Sequence, residues 1–397
     1  MRVLFASTRG AGHFNPLVPF VEAFLRGGHE VLVAGPPALA ETVARAGYPY
    51  WPGAAPPEDE LGAVWGRVPT ASYEEAGRLV VGDIFARLNV AAMLPSLRAA
   101  CREWHPDLIL RDTAEFASAI AGEELGVPHA RVAVSLAAAE EAALAIARPV
   151  LDERRRGVVE SIHASPYLSL FPAALEDPLV GEPRVTYRFR DPLDPPSREA
   201  LPNWWPGDDA ALVYVSFGSV TGSTPMAGAL FGAVLEAVAE VPARVLLTIG
   251  HDTNADDLPP APPNVHVERW VPQADVFAHA SAVVCHGGSG TTLGALAAGL
   301  PLVVVPLFAD QPENARRVAA VGAGIAVEQD EGSPREPMRS TIDPARLQSA
   351  IDAVLVNPVY GHAARRVAEE MRALPPTDAA LATLADLNPL SSRTKRE

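Results

Sequence analysis

The chain opens with a compact apolar run at residues 3–6, then Thr8-Arg9-Gly10-Ala11-Gly12-His13, then apolar positions at helical spacing over 16–25. That succession predicts a strand, a tight loop and a helix, which Gly27-Gly28 ends. Further strands are predicted at 31–34, 108–110 and 130–134, with helical patterns over 38–46, 74–104 and 114–125 between them. Strands that alternate with helices imply a parallel sheet, because each crossover needs a covering element.

From 191 to 209 both periods vanish. Proline, polar and charged residues crowd together and end in Pro202-Asn203-Trp204-Trp205-Pro206-Gly207, the pattern of an interdomain linker. Beyond it the alternation restarts, with strands predicted at 212–217, 245–249, 265–268, 282–285 and 302–305 and helices at 226–239 and 291–298. Helices over 344–356 and 362–374 close this second domain. The expected fold class is α/β, two Rossmann-like parallel-sheet domains, the N-terminal one over 1–195 and the C-terminal one over 208–374. A C-terminal helix over 375–390 is expected to return to the N-terminal domain. The charged, apolar-free stretch 391–397 is expected to be a disordered tail.

Composition narrows the function. At 397 residues the chain is long enough for two cores, and Cys101 and Cys285, its only cysteines, suit buried thiols in a reducing compartment better than a disulfide framework. A formal net charge of −16 disfavours a nucleic-acid partner and requires any anionic ligand to be held locally. The N-terminus carries no apolar run of signal-peptide or membrane-span length, so a cytoplasmic protein without a membrane span is expected. The oligomeric state is not legible, a homodimer being left open.

The most informative stretch combines Trp270-Val271-Pro272-Gln273, His286-Gly287-Gly288-Ser289-Gly290-Thr291-Thr292, and Asp310-Gln311. A strand ending at Cys285 delivers a Gly-rich turn to a helix start, where unpaired amides and the helix dipole favour a diphosphate. Gly288 and Gly290 let the backbone approach it, Ser289 and Thr291 add hydroxyls, and His286 adds an imidazole donor. Trp270 offers a flat face to a pyrimidine, with Val271 backbone groups and Gln273 for the base edge or ribose. Asp310 and Gln311 suit sugar hydroxyls. Taken singly, the loop reads as a turn, Trp270 as a core aromatic and Asp310 as a helix cap; their ordered spacing favours one site.

This block resembles the donor-binding signature of nucleotide-sugar glycosyltransferases of the GT-B fold, closest to the bacterial members that glycosylate antibiotics and other natural products. The resemblance follows the order of elements along nearly the whole chain and is sharp here and in the first loop. It implies two Rossmann-like domains facing across a cleft, and an inverting, metal-independent transfer from a TDP- or UDP-sugar. No cofactor beyond that co-substrate and no metal ligand is implied. Donor binding falls to the C-terminal domain, where Ser219 joins the residues above, and the acceptor to the N-terminal one. In the loop Gly10-Ala11-Gly12-His13-Phe14-Asn15-Pro16, the resemblance puts the general base on His13, with Asp112 orienting its imidazole. Imidazole suits the task because it titrates near neutrality while an alcohol does not. Asp112 also admits a surface ion pair or the cap of the helix from Ala114. His29, His105, His129 and His163 are taken as structural.

A hydrophobic small-molecule acceptor, a polyketide or aromatic aglycone, is expected against the N-terminal domain, with Trp65, Phe85 and Met93 as candidate lining. A dinucleotide-dependent oxidoreductase fits poorly: the third fingerprint glycine would fall at Asn15, and 31–34 runs into Ala34-Gly35-Pro36 without an acidic residue for a ribose. A nucleotide-sugar epimerase or a non-catalytic sugar-nucleotide-binding protein would carry a similar donor site, and dependence on an acceptor separates them.

Overall fold

A computed structural model of the chain describes residues 1–180, 185–192, 201–206, 209–218, 221–224, 226–251, 253–327 and 342–385. Ser219, the stretches 193–200 and 207–208 of the expected linker, 386–390 of the expected last helix and the tail 391–397 lie outside the described residues. The chain divides into two compact units. The first comprises Met1–Pro172, Glu176–Pro192 and the segment beginning at Leu374; the second comprises Ala173–Leu175 and Leu193–Ala373.

The first unit is built on seven strands: β1 (Arg2–Ala6), β2 (Glu30–Gly35), β3 (Tyr50–Pro52), β4 (Leu108–Asp112), β5 (His129–Val132), β6 (Tyr167–Ser169) and β7 (Thr186–Arg188). They pair in parallel in the order β3-β2-β1-β4-β5-β6-β7. Val3, Leu4, Phe5 and Ala6 are all buried, so β1 needs cover on both faces, which is why a strand of this composition is central and helices flank it. In register, Leu4 lies between Leu32 of β2 and Ile109 of β4. Strand order reverses between β1 and β4, so the loops leaving their carboxyl ends diverge and open a crevice there.

The second unit repeats the plan with β8 (Leu212–Ser216), β9 (Arg244–Thr248), β10 (Val265–Glu268), β11 (Ala282–Cys285), β12 (Leu302–Val304) and β13 (Gly324–Ala326). The parallel order is β10-β9-β8-β11-β12-β13, reversing between β8 and β11. Val213, Val215, Val284 and Val303 of the sheet pack with Phe231 and Val234 from the helix Ala227–Val238 and with Leu347 and Ile351 from the helix Pro344–Val356.

Several elements differ from expectation for identifiable reasons. Helix begins five residues early, as a turn over Ala11–Phe14 that runs through a 3-10 turn, Asn15–Leu17, into Val18–Arg26. Pro16 and Pro19 fall within the first positions of successive helical turns, where a missing N–H is tolerated. The run over 74–104 is continuous helix from Tyr73 to Trp104, but Arg78–Asn89 is wound as π-helix. By length and composition this run could cross a membrane; Leu79, Ile84, Leu88, Leu94 and Leu97 are instead buried in the first unit. The strands β3, β6, β7 and β13 have three residues each, too few for a period to register. The end of the expected linker is fastened to the second unit: the Trp204 ring stacks on His266 of β10 at 4.8 Å, and the Arg244 guanidinium lies 5.9 Å from the Trp205 ring centre.

Candidate active site

In the first unit the two strands flanking the reversal deliver a histidine and a carboxylate to each other. Asp112, the last residue of β4, is fully buried. Its Oδ2 accepts the Thr8 amide at 2.7 Å, and its Oδ1 accepts the amides of Ala114 at 2.7 Å and Glu115 at 3.0 Å. The same Oδ1 lies 3.3 Å from Nδ1 of His13, on the helical turn after β1. Burial pushes this carboxyl up, but His13, by its charge when protonated and by its hydrogen bond, together with the amides of Thr8 and Ala114, outweighs burial and holds it below its usual range. An ionised carboxylate only accepts, so Nδ1 of His13 carries the proton and Nε2 is the basic nitrogen of that tautomer.

Burial excludes the surface ion pair, whereas the capping role and the partnership with His13 coexist on one carboxylate. The neighbouring Arg111 is itself fully buried, and its Nη1 donates to the carbonyls of Asp112 and Glu115, each at 3.0 Å, from beneath the loop. Glu140 joins from the first turn of the helix Ala137–Arg154: its Oε1 accepts from Thr113 Oγ1 at 2.9 Å and from the amides of Val134 and Ser135 at 2.7 and 3.0 Å. Burial pushes its carboxyl up to about 7. Neither Arg111 nor Glu140 was expected in this role; the one signal available was a charged pair closing an otherwise apolar strand. The His13 side chain keeps 24% of its surface exposed and meets the edge of Phe85 at 5.5 Å.

In the second unit the Gly-rich turn follows β11 at the other reversal. Gly288 is the N-cap of the helix Ser289–Ala297 and offers no side chain, so no cap hydrogen bond occupies the amides of the first turn. Gly287 sits at φ +86°, and a Cβ on Gly288 would lie 2.4 Å from Nε2 of His286; the two glycines are thus demanded by backbone shape and by the imidazole. Nothing within 4 Å blocks the Cβ direction of Gly290. Ser289 Oγ donates to Asp310 Oδ2 at 3.3 Å, and Asn314 Nδ2 bridges that oxygen at 3.1 Å and the Gly287 carbonyl at 2.8 Å. Asn314, one helical turn after Asp310, is a fastening residue that the motif did not reveal.

Other donor candidates divide by what they touch. Gln273 opens the helix Gln273–Phe277 and points its amide at Thr291 Oγ1, 3.2 Å, and Tyr214 Oη, 3.4 Å, linking two pieces of the block. Gln311 is buried, and its Oε1 accepts the amides of Leu307 and Phe308 at 2.8 and 3.0 Å, which assigns that oxygen to shaping the loop rather than to a sugar. Val271 is partly buried beside Trp270, which leaves 60% of its surface exposed and lies nearly parallel to His251. Burial lowers the pKa of His286 to about 4, against the pull of Asp310 and a Ser216 backbone bond, so the imidazole donor expected there is an uncharged ring at neutral pH.

The acceptor candidates also separate. Trp65 ends the helix Glu58–Trp65 with 39% of its surface exposed, and Phe85 touches His13. Met93 does not line a surface: it is 4% exposed, and its Sδ fills the space above Gly53, where a Cβ would come within 2.2 Å. Helical periodicity placed Met93 on the inner face of its helix, which is the core.

Residues 22–162 match the N-terminal domain, and residues 232–387 the C-terminal domain, described as erythromycin biosynthesis protein CIII-like. The chain is 32% identical to the elloramycin glycosyltransferase ElmGT of Streptomyces olivaceus over 96% of each protein. It is 31% identical to the L-demethylnoviosyl transferase of Streptomyces niveus over 96% of this chain and 97% of that one. The solved spinosyn rhamnosyltransferase SpnG, complexed with thymidine diphosphate, is similar in fold, with a TM-score of 0.78 at 24% identity over 97% of this chain and 100% of that one. The paired parallel sheets are those of the GT-B fold.

Proposed function

The chain belongs to the erythromycin biosynthesis protein CIII-like family of bacterial natural-product glycosyltransferases, and from that premise we propose that it moves a sugar, with inversion, from a TDP- or UDP-sugar to a hydroxyl of a small hydrophobic aglycone, His13 acting as base. The observation that carries this reading is the His13–Asp112 pair, a partly exposed imidazole held through Nδ1 by a fully buried carboxylate. As the acceptor oxygen attacks the anomeric carbon, Nε2 of His13 takes its proton, and the bond to the diphosphate oxygen breaks with its electron pair leaving on the nucleotide. The imidazolium so formed faces Asp112, whose charge stabilises it.

Charge growing on the leaving diphosphate is met by the amides of Ser289, Gly290 and Thr291 and by the dipole of their helix, so no metal step is invoked. Trp270 supplies a face for the base and Asp310 an acceptor for sugar hydroxyls. The similar spinosyn enzyme was solved with thymidine diphosphate, which makes thymidine diphosphate sugars the first donors to try.

The test is a panel of TDP- and UDP-sugars against polyketide and aromatic aglycones, following nucleotide diphosphate release with and without chelator. Release that depends on an aglycone and survives chelation supports the reading. Conversion of the donor without an acceptor would make the protein an epimerase, and loss of activity to chelator, restored by magnesium, would overturn the metal-free step.

A further inference from the structure

Two aromatic rings stand exposed at the edge of the second sheet. β9 and β10 stay hydrogen-bonded past their ends, with the amides of Ile249 and Gly250 donating to the carbonyls of Glu268 and Arg269 at 3.1 and 3.0 Å. This continuation brings His251 and Trp270 side by side. Their rings lie 6.5 Å apart, centre to centre, and only 20° from parallel. Beneath them, the buried Thr253 donates its hydroxyl to the Ile249 carbonyl at 2.7 Å and pins the loop that carries His251.

Two exposed rings held face to face at a sheet's carboxyl end form a surface that a flat ligand can cover. A planar ring touching both faces needs about 3.5 Å on each side, about 7 Å between the walls; the ring centres stand 6.5 Å apart, so a small rotation of the exposed His251 side chain is needed to admit it. Position adds a direction. β10 is the edge strand, and β9 lies between it and the reversal at β8 and β11, where the first-turn amides of the helix Ser289–Ala297 stand. A nucleotide that rests its diphosphate on those amides and its base on Trp270 must bring the base across the end of β9, where His251 is.

We infer that His251 forms the second wall of the nucleobase slot, so that the donor's pyrimidine is held between its imidazole and the Trp270 indole. This rests on the donor site proposed above. Both walls present π-faces, so the slot selects a flat base, while the sugar is chosen elsewhere.

Calorimetric titration of the full chain with thymidine diphosphate and with inorganic pyrophosphate, neither needing an acceptor, tests it. His251→Ala should weaken thymidine diphosphate binding by about tenfold or more, the usual loss of one stacking face, and His251→Phe should restore most of it. Pyrophosphate, which has no base, should bind wild type and both variants alike. Unchanged thymidine diphosphate affinity in His251→Ala, or an equal loss for pyrophosphate, overturns the inference while leaving the donor site standing. Failure of the wild-type chain to bind either thymidine or uridine diphosphate overturns the donor site, and the inference with it. Because His251 is exposed, both variants should keep the wild-type circular dichroism spectrum.

Discussion

Replacing Asp112 by Asn separates the carboxylate's service to the loop from its service to His13. Four donors converge on two oxygens: Thr8 N–H on Oδ2, and Ala114 N–H, Glu115 N–H and His13 Nδ1–H on Oδ1. Asn keeps one oxygen. In the less costly orientation that oxygen takes the place of Oδ1 and the NH₂ group confronts the Thr8 amide, leaving one buried N–H without an acceptor at a cost of about 1–3 kcal/mol. The opposite orientation sets three donors against the NH₂ and is worse. A domain stable by about 5–15 kcal/mol survives that loss. Catalysis loses the charge that faces the imidazolium. A hydrogen bond to a charged group contributes about 1.5–3 kcal/mol, which converts to a fall in kcat of about 10- to 150-fold. The assay pairs acceptor-dependent nucleotide release at saturating donor with thermal denaturation. Normal turnover in a destabilised Asp112→Asn protein would refute the catalytic part and leave Asp112 as a loop cap alone.

His13→Ala should lower kcat by about 10²- to 10⁴-fold with thymidine diphosphate affinity retained, and adding Asp112→Asn to it should cost little more, because the pair acts as a unit; additive losses would break the pairing. Gly288→Ala places a Cβ 2.4 Å from His286 Nε2 and must displace the turn or the imidazole beside it, so pyrophosphate affinity should fall by about tenfold to a hundredfold; wild-type affinity would count against the turn as the anion site. Glu140 has its carboxyl raised from 4.5 to about 7, so between those values the folded chain holds a proton that the unfolded chain has released, and stability falls as pH rises through that window. Glu140→Gln can still accept from Thr113, Val134 and Ser135, so its melting temperature relative to wild type should rise from pH 5 to pH 8; a pH-independent difference would count against a protonated Glu140.

What the sequence made legible follows from how each feature is encoded. Apolar runs such as those at β1, β8 and β11 declare themselves because a central parallel strand is buried on both faces, and the Gly-rich turn declares itself because backbone shape demands it. The three-residue strands β3, β6, β7 and β13 carry no period and, unlike β12, no apolar run that marks them, and the helices Glu58–Trp65 and Ala137–Arg154 fall outside the elements the pattern predicts. Met93 shows the limit plainly: an apolar residue at helical spacing can face an acceptor or the interior, and only packing against Gly53 decides. Asp112 was readable as a partner for His13 only through the family resemblance, since nothing in local spacing joins two residues on different strands. The supporting Arg111 and Glu140 act through buried contacts that have no motif at all.

On the proposed reading, a chain of net charge −16 that takes a diphosphate would hold it with local dipoles more than with ions. His286 is neutral at physiological pH, and a carboxylate, Asp310, is bonded to Ser289 of the turn and to Asn314. A carboxylate so close to the diphosphate's place would repel it across open water. Fixed instead by Ser289 and Asn314, Asp310 is the N-cap of the next helix, Gln311–Ala320, whose dipole partly meets its charge, which suits an acceptor for sugar hydroxyls rather than a competitor for the anion's amides. On the proposed reading, that division leaves the attraction for the diphosphate to the amides of Ser289, Gly290 and Thr291. Their strength depends on alignment, so affinity should respond far more to substitutions that tilt the turn than to those that alter charge nearby.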